Sequence, residues 1–374
     1  MMKISVIGAG RIGWATAGHM ALSGHEVRLY EFPEFRDSIA DLSKTQVLKV
    51  INVCRETGIP SGDVRLAYVG TDEKKALENV ETVLIAVPAF AERKAAEICA
   101  PYLVSGQTVV MLAGCIYGSV EFLKTVREKG NACDIAVVEM NNSPYAARKI
   151  GGDAVRIGCY KRGVGIASFP GNKGREAWKI CVSLFPYAEL WDSLLATGVS
   201  NPSTGVHSTA VVFNPRYVEE KEEVFMYQDG KHLSAIGESV GRVNFDMDME
   251  RLQLDGIVGS LKPWRYVFRD WYEYLGVHGN TLLEIMSSNP GLAGGLLPTD
   301  FDNRFLTEDV SMGIWPLVEL LERYGFCCDV CKSVAIIASS LSGIDLKGTA
   351  RTLRKLGLEK YSTEELEEYI FNGI

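Results

Sequence analysis

Short β-branched runs alternate with helical stretches through the first half of the chain, the pattern of a parallel sheet covered on both faces. Strands are expected at Lys3–Ile7, Glu26–Tyr30, Val64–Val69, Thr82–Val87, Thr108–Leu112 and Ile135–Glu139. Several are continuous apolar runs, such as Val83-Leu84-Ile85-Ala86-Val87, as strands buried on both faces should be. Two more β-rich pieces, Ala154–Cys159 and Gly165–Phe169, follow, and turn chemistry at Phe169-Pro170-Gly171-Asn172 breaks the pattern. Beyond about residue 195 the texture changes. Helical patterns run over Val206–Phe213, Lys231–Asp246, Pro263–Tyr274, Thr281–Ser287, Val310–Arg323, Cys331–Ser342 and Thr363–Phe371. The expected class is α/β: a doubly wound parallel sheet over residues 1–194, then a mostly α-helical domain over residues 195–374, closely packed with a cleft between them.

Lys plus Arg number 39 against 47 Asp plus Glu, a formal charge of −8. That balance argues against nucleic acid or a membrane surface as partner, since both need a basic face. Nine scattered cysteines read as reduced thiols, and Cys328-x-x-Cys331 lacks a second pair or a nearby histidine to complete a zinc shell. No metal site is expected. The N-terminal apolar stretch is too short for a signal peptide, and no run approaches a membrane span, so a soluble, cytoplasmic protein is expected.

Gly8-Ala9-Gly10-Arg11-Ile12-Gly13 is a G-x-G-x-x-G that follows the first strand and opens the helical run Trp14–Leu22. That placement makes the string specific. Gly8 permits a tight turn, Gly10 lets a pyrophosphate approach the backbone, and Gly13 lets helix and strand pack closely. The N–H groups of the helix N-terminus, which carries Arg11 and Ile12, suit the phosphates. The first domain is therefore expected to be Rossmann-type and to bind NAD or NADP. Glu31 ends the next strand about twenty residues on, where a carboxylate accepts from adenosine ribose hydroxyls and repels a 2′-phosphate. This favours NAD, although Arg28 and Arg36 lie close by in the sequence. The plainer alternative is a glycine turn with a surface glutamate. Val87-Pro88-Ala89-Phe90-Ala91 and Leu112-Ala113-Gly114-Cys115 end central strands at the edge where such sheets bind ligands. Val87, Pro88 and Gly114 are thus expected at the nicotinamide half, unless both loops are plain strand-to-helix connections.

Hydride transfer to a carbonyl or imine needs a group that moves a proton, often a histidine. Five are present. His19 and His25 lie away from the strand ends that face substrate, His278 lies in a loop and His232 opens a polar helix. His207 sits in the polar turn Ser200–His207, entering the apolar run Thr209–Phe213, where a carboxylate could hold its tautomer. Asp309 is the candidate carboxylate, in the first turn of the helix that continues to Trp315-Pro316-Leu317. Arg304, five residues earlier, suits bidentate capture of a carboxylate. Each also has a bland reading: a histidine satisfied by backbone, or a capping charge at a helix start.

At these residues the chain resembles the opine dehydrogenases, the octopine/nopaline dehydrogenase family, over nearly its whole length. The likeness runs through Gly8, Gly10 and Gly13, the Val87–Ala91 loop, Gly106–Val110, Glu139, Pro144–Arg148 and the Asn201…His207…Asn214 segment. Arg304–Val310 followed by Gly313–Leu317 is its most specific piece, and Arg351–Leu358 looks like the family's C-terminal pattern. The resemblance implies that His207 and Asp309 form the acid–base pair and that Arg304, with Asn201, binds substrate. It also implies NAD(P)H-dependent joining of an amino acid to an α-keto acid through reduction of their imine, by a homodimer. Glu92 departs from a histidine common in the family, and Cys115–Gly118 from its usual turn. Two other readings stay open: a 2-keto or 2-hydroxy acid reductase of related architecture, and a non-catalytic dinucleotide-binding regulator.

Overall fold

The continuous apolar runs form the middle of an eight-stranded sheet. The computed structural model describes residues 1–227, 234–292 and 294–373. The chain divides into two units: one holds residues 1–114, 118–194 and those from Tyr369 on, the other Cys115–Tyr117 and Leu195–Glu368. In chain order the strands of the first unit are β1 (Lys3–Ile7), β2 (Glu26–Tyr30), β3 (Val47–Asn52), β4 (Gly62–Arg65), β5 (Tyr68–Gly70), β6 (Thr82–Ile85), β7 (Thr108–Met111), β8 (Ala136–Met140), β9 (Tyr145–Ile150), β10 (Ala154–Tyr160), β11 (Val164–Phe169) and β12 (Ala188–Leu190). The large sheet runs β12-β11-β8-β7-β6-β1-β2-β5. Its neighbours are parallel except β8 and β11. Strand order reverses at β1, where Ile4 pairs with Val27 on β2 and with Thr82 on β6. Ligands bind beyond the carboxyl ends of strands at such a reversal, and Gly8 follows β1 there.

A second sheet, β4-β3-β10-β9, departs from the sequence expectation. The run Val64–Val69, expected as one strand, divides between this sheet (β4) and the edge of the large one (β5). Leu66 at the corner is buried, and its N–H donates to the Gln46 carbonyl at 2.8 Å. Apolar character therefore continues through the bend and conceals it. Strands β3 and β9 carry Lys49, Arg148 and Lys149 among apolar residues, which masked them.

The second sheet explains why the first helix, Arg11–Leu22, is buried over most of its surface. A Cβ at Gly18 would lie 2.5 Å from Val50 Cγ2 on β3, so the helix and this sheet are in direct contact. His19 on this helix is half-buried with Nδ1 2.8 Å from the Tyr145 hydroxyl on β9. Burial, with help from His25, lowers its pKa from 6.5 to about 4.

In the second unit, the helix expected over Lys231–Asp246 begins only at Glu238 and runs to Arg251. Residues 231–233, with His232, lie outside the described residues. Ser234–Ile236 is instead a strand parallel to Phe225–Tyr227. Val310–Arg323 is not one helix either: Asp309–Ile314 form a π-turn that leads into the α-helix Trp315–Arg323. A turn wider by one residue leaves the apolar spacing nearly intact, so periodicity does not reveal it. Arg251 is fully buried and donates through Nε and Nη2 to Asp248 Oδ1 at 2.9 and 2.7 Å. Asp248 Oδ2 accepts the Trp264 backbone N–H at 2.8 Å, and the indole lies over Gly205, where a Cβ would be 2.6 Å from the ring. The helix Pro202–Val212 can pack this closely because residue 205 has no side chain. The nine cysteines are all thiols outside any disulfide, and no metal-binding cluster exists among the described residues. No helix among those residues is long and apolar enough to cross a membrane.

Folding favours the neutral form of His19. Its contribution is full above the unfolded pKa of 6.5 and is lost as pH falls toward the folded value of about 4. Between pH 7 and 4.5 the wild-type protein is expected to lose about 2 kcal/mol more unfolding free energy than His19→Gln. Urea titrations at the two pH values measure this, and equal losses would remove His19 as the cause.

Candidate active site

The turn after β1 is built by close contact. Gly8 has φ +96°, and a Cβ there would lie 2.8 Å from the Ala86 carbonyl oxygen and 2.7 Å from Val87 Cγ1. A Cβ at Gly13 would lie 1.8 Å from the Gly8 carbonyl oxygen. At Gly10, by contrast, nothing lies within 4 Å of that position. Gly10 is the N-cap of the Arg11–Leu22 helix, and no side chain caps that N-terminus. An uncapped helix start behind an open glycine fits a pyrophosphate. Val87 and Pro88 are half-buried beside it, after β6.

Glu31 stands at the end of β2 and is buried. Its Oε2 accepts the Ala9 N–H at 3.1 Å and its Oε1 the Phe32 N–H at 2.9 Å, tying β2 to the glycine turn. Burial pushes its pKa up, opposed by those two N–H groups and by Lys149. Lys149 on β9 is the cation facing Glu31. Its Nζ also lies 4.0 Å from the centre of the Trp14 ring and donates to the Ser38 carbonyl at 3.2 Å. The two arginines named from sequence are engaged elsewhere. Arg28 pairs with Glu26 at 3.0 Å and bonds the Lys75 and Glu78 carbonyls, while Arg36 Nε bonds the Pro33 carbonyl. Gly114 lies against Glu139: a Cβ there would be 2.3 Å from Glu139 Cγ. Glu139 is fully buried and accepts from both N and Oγ of Ser119 at 2.9 Å. Glu92 is buried at the start of the helix Glu92–Cys99.

In the second unit His207 and Asp309 meet. His207 Nδ1 is 2.9 Å from Asp309 Oδ2, and the Asp309 side chain is 5% exposed against 20% for the imidazole. The imidazole stacks on Phe305 at 4.0 Å between ring centres and an interplanar angle of 8°. Arg304 begins the turn Arg304–Thr307, which Asn303 caps through its side chain. Arg304 Nε is 3.0 Å from Glu308 Oε2. Burial opposes its charge, but the carboxylates of Glu308 and Asp309 outweigh that and hold its pKa above the usual value. Asn201 caps the His207 helix, its Oδ1 accepting the Ser203 N–H at 3.0 Å. Of the other histidines, His278 is exposed with Nδ1 3.2 Å from the Gly276 carbonyl, and His25 Nδ1 accepts the Met2 N–H at 3.2 Å. A cavity of about 800 Å³ along the Glu238–Arg251 helix is lined by none of His207, Arg304 and Asp309.

Sequence reasoning assigned no role to Phe305, Glu308, Arg351 or Lys149. Phe305 and Glu308 lay within the Arg304–Val310 string, and their side-chain types were the available signal. Arg351, which opened the Arg351–Leu358 string, is buried. Its N–H donates to the Ser311 carbonyl at 3.1 Å and its Nη1 to the Ile116 carbonyl at 3.2 Å. Ile116 in turn donates to the Met312 carbonyl at 3.4 Å. The π-turn that opens with Asp309 is thereby held from outside the helix. Cys115 and Tyr117, flanking Ile116, take left-handed φ values of 54° and 63°.

Residues 191–342 match the family model for the alpha-helical domain of NAD/NADP octopine/nopaline dehydrogenases. Residues 3–139 match that for the N-terminus of NAD-dependent glycerol-3-phosphate dehydrogenase. The opine dehydrogenase of Arthrobacter sp. (strain 1C) is 26% identical over 355 residues, covering 95% of this chain and 94% of the relative. The chain is thus similar to opine dehydrogenases over nearly its whole length. Vitopine synthase of Allorhizobium ampelinum (strain ATCC BAA-846 / DSM 112012 / S4) is 23% identical, covering 96% of each chain. Among solved structures, octopine dehydrogenase with NADH and L-arginine superposes with a TM-score of 0.75 at 19% identity, covering 100% of this chain and 98% of that one. Yersinopine dehydrogenase with NADP+ bound gives 0.72 at 13% identity, covering 100% and 98%. At such identities these two likenesses speak to the fold. With these likenesses the protein is an NAD(P)-dependent oxidoreductase.

The glycine geometry separates two substitutions. Gly13→Ala forces a methyl group onto a backbone oxygen and is expected to cost about 1–3 kcal/mol of stability. Gly10→Ala meets no protein atom, so its melting temperature should stay within a few degrees of wild type while NADH binding weakens about tenfold or more. Thermal melts and NADH fluorescence titrations check both.

Proposed function

We propose that this protein joins an α-keto acid to an amino acid, with His207 and Asp309 as its acid–base pair and Arg304 as a carboxylate anchor. The observation that supports it is the 2.9 Å contact from His207 Nδ1 to buried Asp309. A carboxylate on Nδ1 fixes the tautomer, so Nε2 is the nitrogen that exchanges a proton with substrate. The amino group attacks the keto carbon, a C–N bond forms, and the former carbonyl oxygen leaves as water. Protonated His207 gives its Nε2 proton to that departing oxygen, the amine nitrogen supplies the second proton of the water, and Asp309 stabilises the imidazolium until the transfer leaves it neutral. The bound reduced nicotinamide supplies the hydride that turns the imine carbon into the carbon of a secondary amine dicarboxylate. The guanidinium of Arg304 takes the keto acid's carboxylate. Asn201, whose Oδ1 caps the His207 helix, is assigned to the substrate as well.

On the same reading Gly8, Gly10, Arg11, Ile12 and Gly13 hold the pyrophosphate, Glu31 the adenosine ribose, and Val87, Pro88 and Gly114 the nicotinamide half. NAD is the preferred cofactor because the Glu31 carboxylate opposes a 2′-phosphate. Lys149 moderates that preference. Octopine dehydrogenase has been solved with NADH and L-arginine and with NADH and pyruvate, the substrate classes assigned here.

The test is a two-substrate screen with NADH and NADPH. Oxidation should require a keto acid and an amino acid together. Equal oxidation with the keto acid alone would replace this reading with a simple keto-acid reductase, and binding without turnover would leave a sensor. His207→Ala should lower kcat by ~10²-fold or more with NADH affinity unchanged. A variant with full turnover would take His207 out of the mechanism.

A further inference from the structure

Glu308 and Asp309 are consecutive carboxylates that are 4% and 3% exposed. Two neighbouring acids withdrawn from water repel each other, and each needs its own donor or cation. Asp309 has His207, at 2.9 Å. Glu308 has Arg304, whose Nε lies 3.0 Å from Oε2. Both carboxylates act on that one guanidinium, Glu308 more strongly and Asp309 next. Arg304 is therefore the cation that Asp309 would take if Glu308 did not hold it.

We propose that Glu308 is a positioning residue: it holds Arg304 away from Asp309, keeps the Asp309 carboxylate for His207, and leaves the Nη1–Nη2 edge of the guanidinium for a substrate carboxylate. This rests on the reading of His207, Asp309 and Arg304 given above. The ion pair with Glu308 is made on the Nε side of the guanidinium, and the end-on edge carries two parallel donors. The burial is asymmetric. The Arg304 side chain is 44% exposed and that of Glu308 only 5%. A surface ion pair has both partners in water and contributes little, whereas here a sunken carboxylate grips an exposed cation from one side. The backbone serves the same division. Glu308 ends the turn begun at Arg304, at the i,i+4 spacing that lets the two meet, and the π-turn that starts at Asp309 has its Ser311 and Met312 carbonyls held by Arg351 and Ile116.

Glu308→Gln keeps the size and removes the charge. Its crystal structure should show Arg304 turned onto Asp309 and His207 Nδ1 beyond hydrogen-bonding distance of that carboxylate. In kinetics the KM for the keto acid should rise about tenfold, the scale of one charge-assisted hydrogen bond, and kcat should fall, with KM for NADH unchanged. Glu308→Asp retains the charge and should recover most of kcat while keeping a raised KM. A Glu308 that only supports the fold would lower the melting temperature and the active fraction, leaving both KM values alone. Folded E308Q protein with Arg304 and the His207–Asp309 contact unmoved overturns the proposal, as does an unchanged KM in both variants. Should E308Q fail to fold, E308D carries the test through its KM and its coordinates. Wild-type protein inactive in the two-substrate screen would end the opine reading, while the variants' coordinates would still decide the role of Glu308.

Discussion

A carboxylate withdrawn from water has to be given a donor or a cation, and the chain withdraws Glu308 and Asp309 in succession. Much of the second unit is arranged around meeting that demand. The turn Arg304–Thr307 brings a guanidinium to Glu308, and the helix Pro202–Val212 brings an imidazole to Asp309. That helix lies where it does because Gly205 admits the Trp264 ring and because Gly313, in the π-turn, admits Thr204; a Cβ at 313 would be 2.4 Å from Thr204 Cγ2. Trp264 is held in turn by Asp248, whose charge is balanced by the fully buried Arg251. One buried ion pair, a backbone hydrogen bond and a ring contact thus link the interior of the helical unit to the helix that carries His207.

In the first unit the equivalent constraint is steric. The strand-to-helix turn closes only because residues 8 and 13 lack side chains, and Glu31 fastens that turn to β2 through the Ala9 N–H. The second sheet then covers the outer side of the same helix, brings Lys149 up to Glu31, and makes His19 a half-buried imidazole bonded to Tyr145 with a lowered pKa. That histidine, on the helix that follows the glycine turn, packs against the second sheet.

The parallel sheet and the glycine turn were legible because their signals are local: a buried strand is an unbroken apolar run, and the fingerprint spans Gly8 to Gly13 directly after it. The split of Val64–Val69 into β4 and β5 was not legible, since Leu66 stays apolar through the bend. Nor was the π-turn, which changes helical pitch without changing the spacing of apolar residues enough to notice. Residue type and position brought His207, Asp309 and Arg304 forward as candidates, each with an ordinary structural explanation beside it, and family likeness assigned the three their roles. Glu308 and Phe305 were visible as letters in the same string and gained meaning only from what they touch.

The sequence by itself determined that a dinucleotide-binding sheet precedes a helical half, because backbone pattern and turn chemistry are written in consecutive residues. It also narrowed the acid–base search to a handful of histidines. Which carboxylate meets which partner was decided by the tertiary structure alone. His207 and Asp309 are 102 positions apart, and Arg351 reaches Ile116 across 235. Contacts of that range depend on how helices pack and where side chains are absent, as at Gly205 and Gly313. The pairing of Glu308 with Arg304, though only four residues apart, follows the same rule: adjacency permitted it, and burial of two neighbouring charges required it.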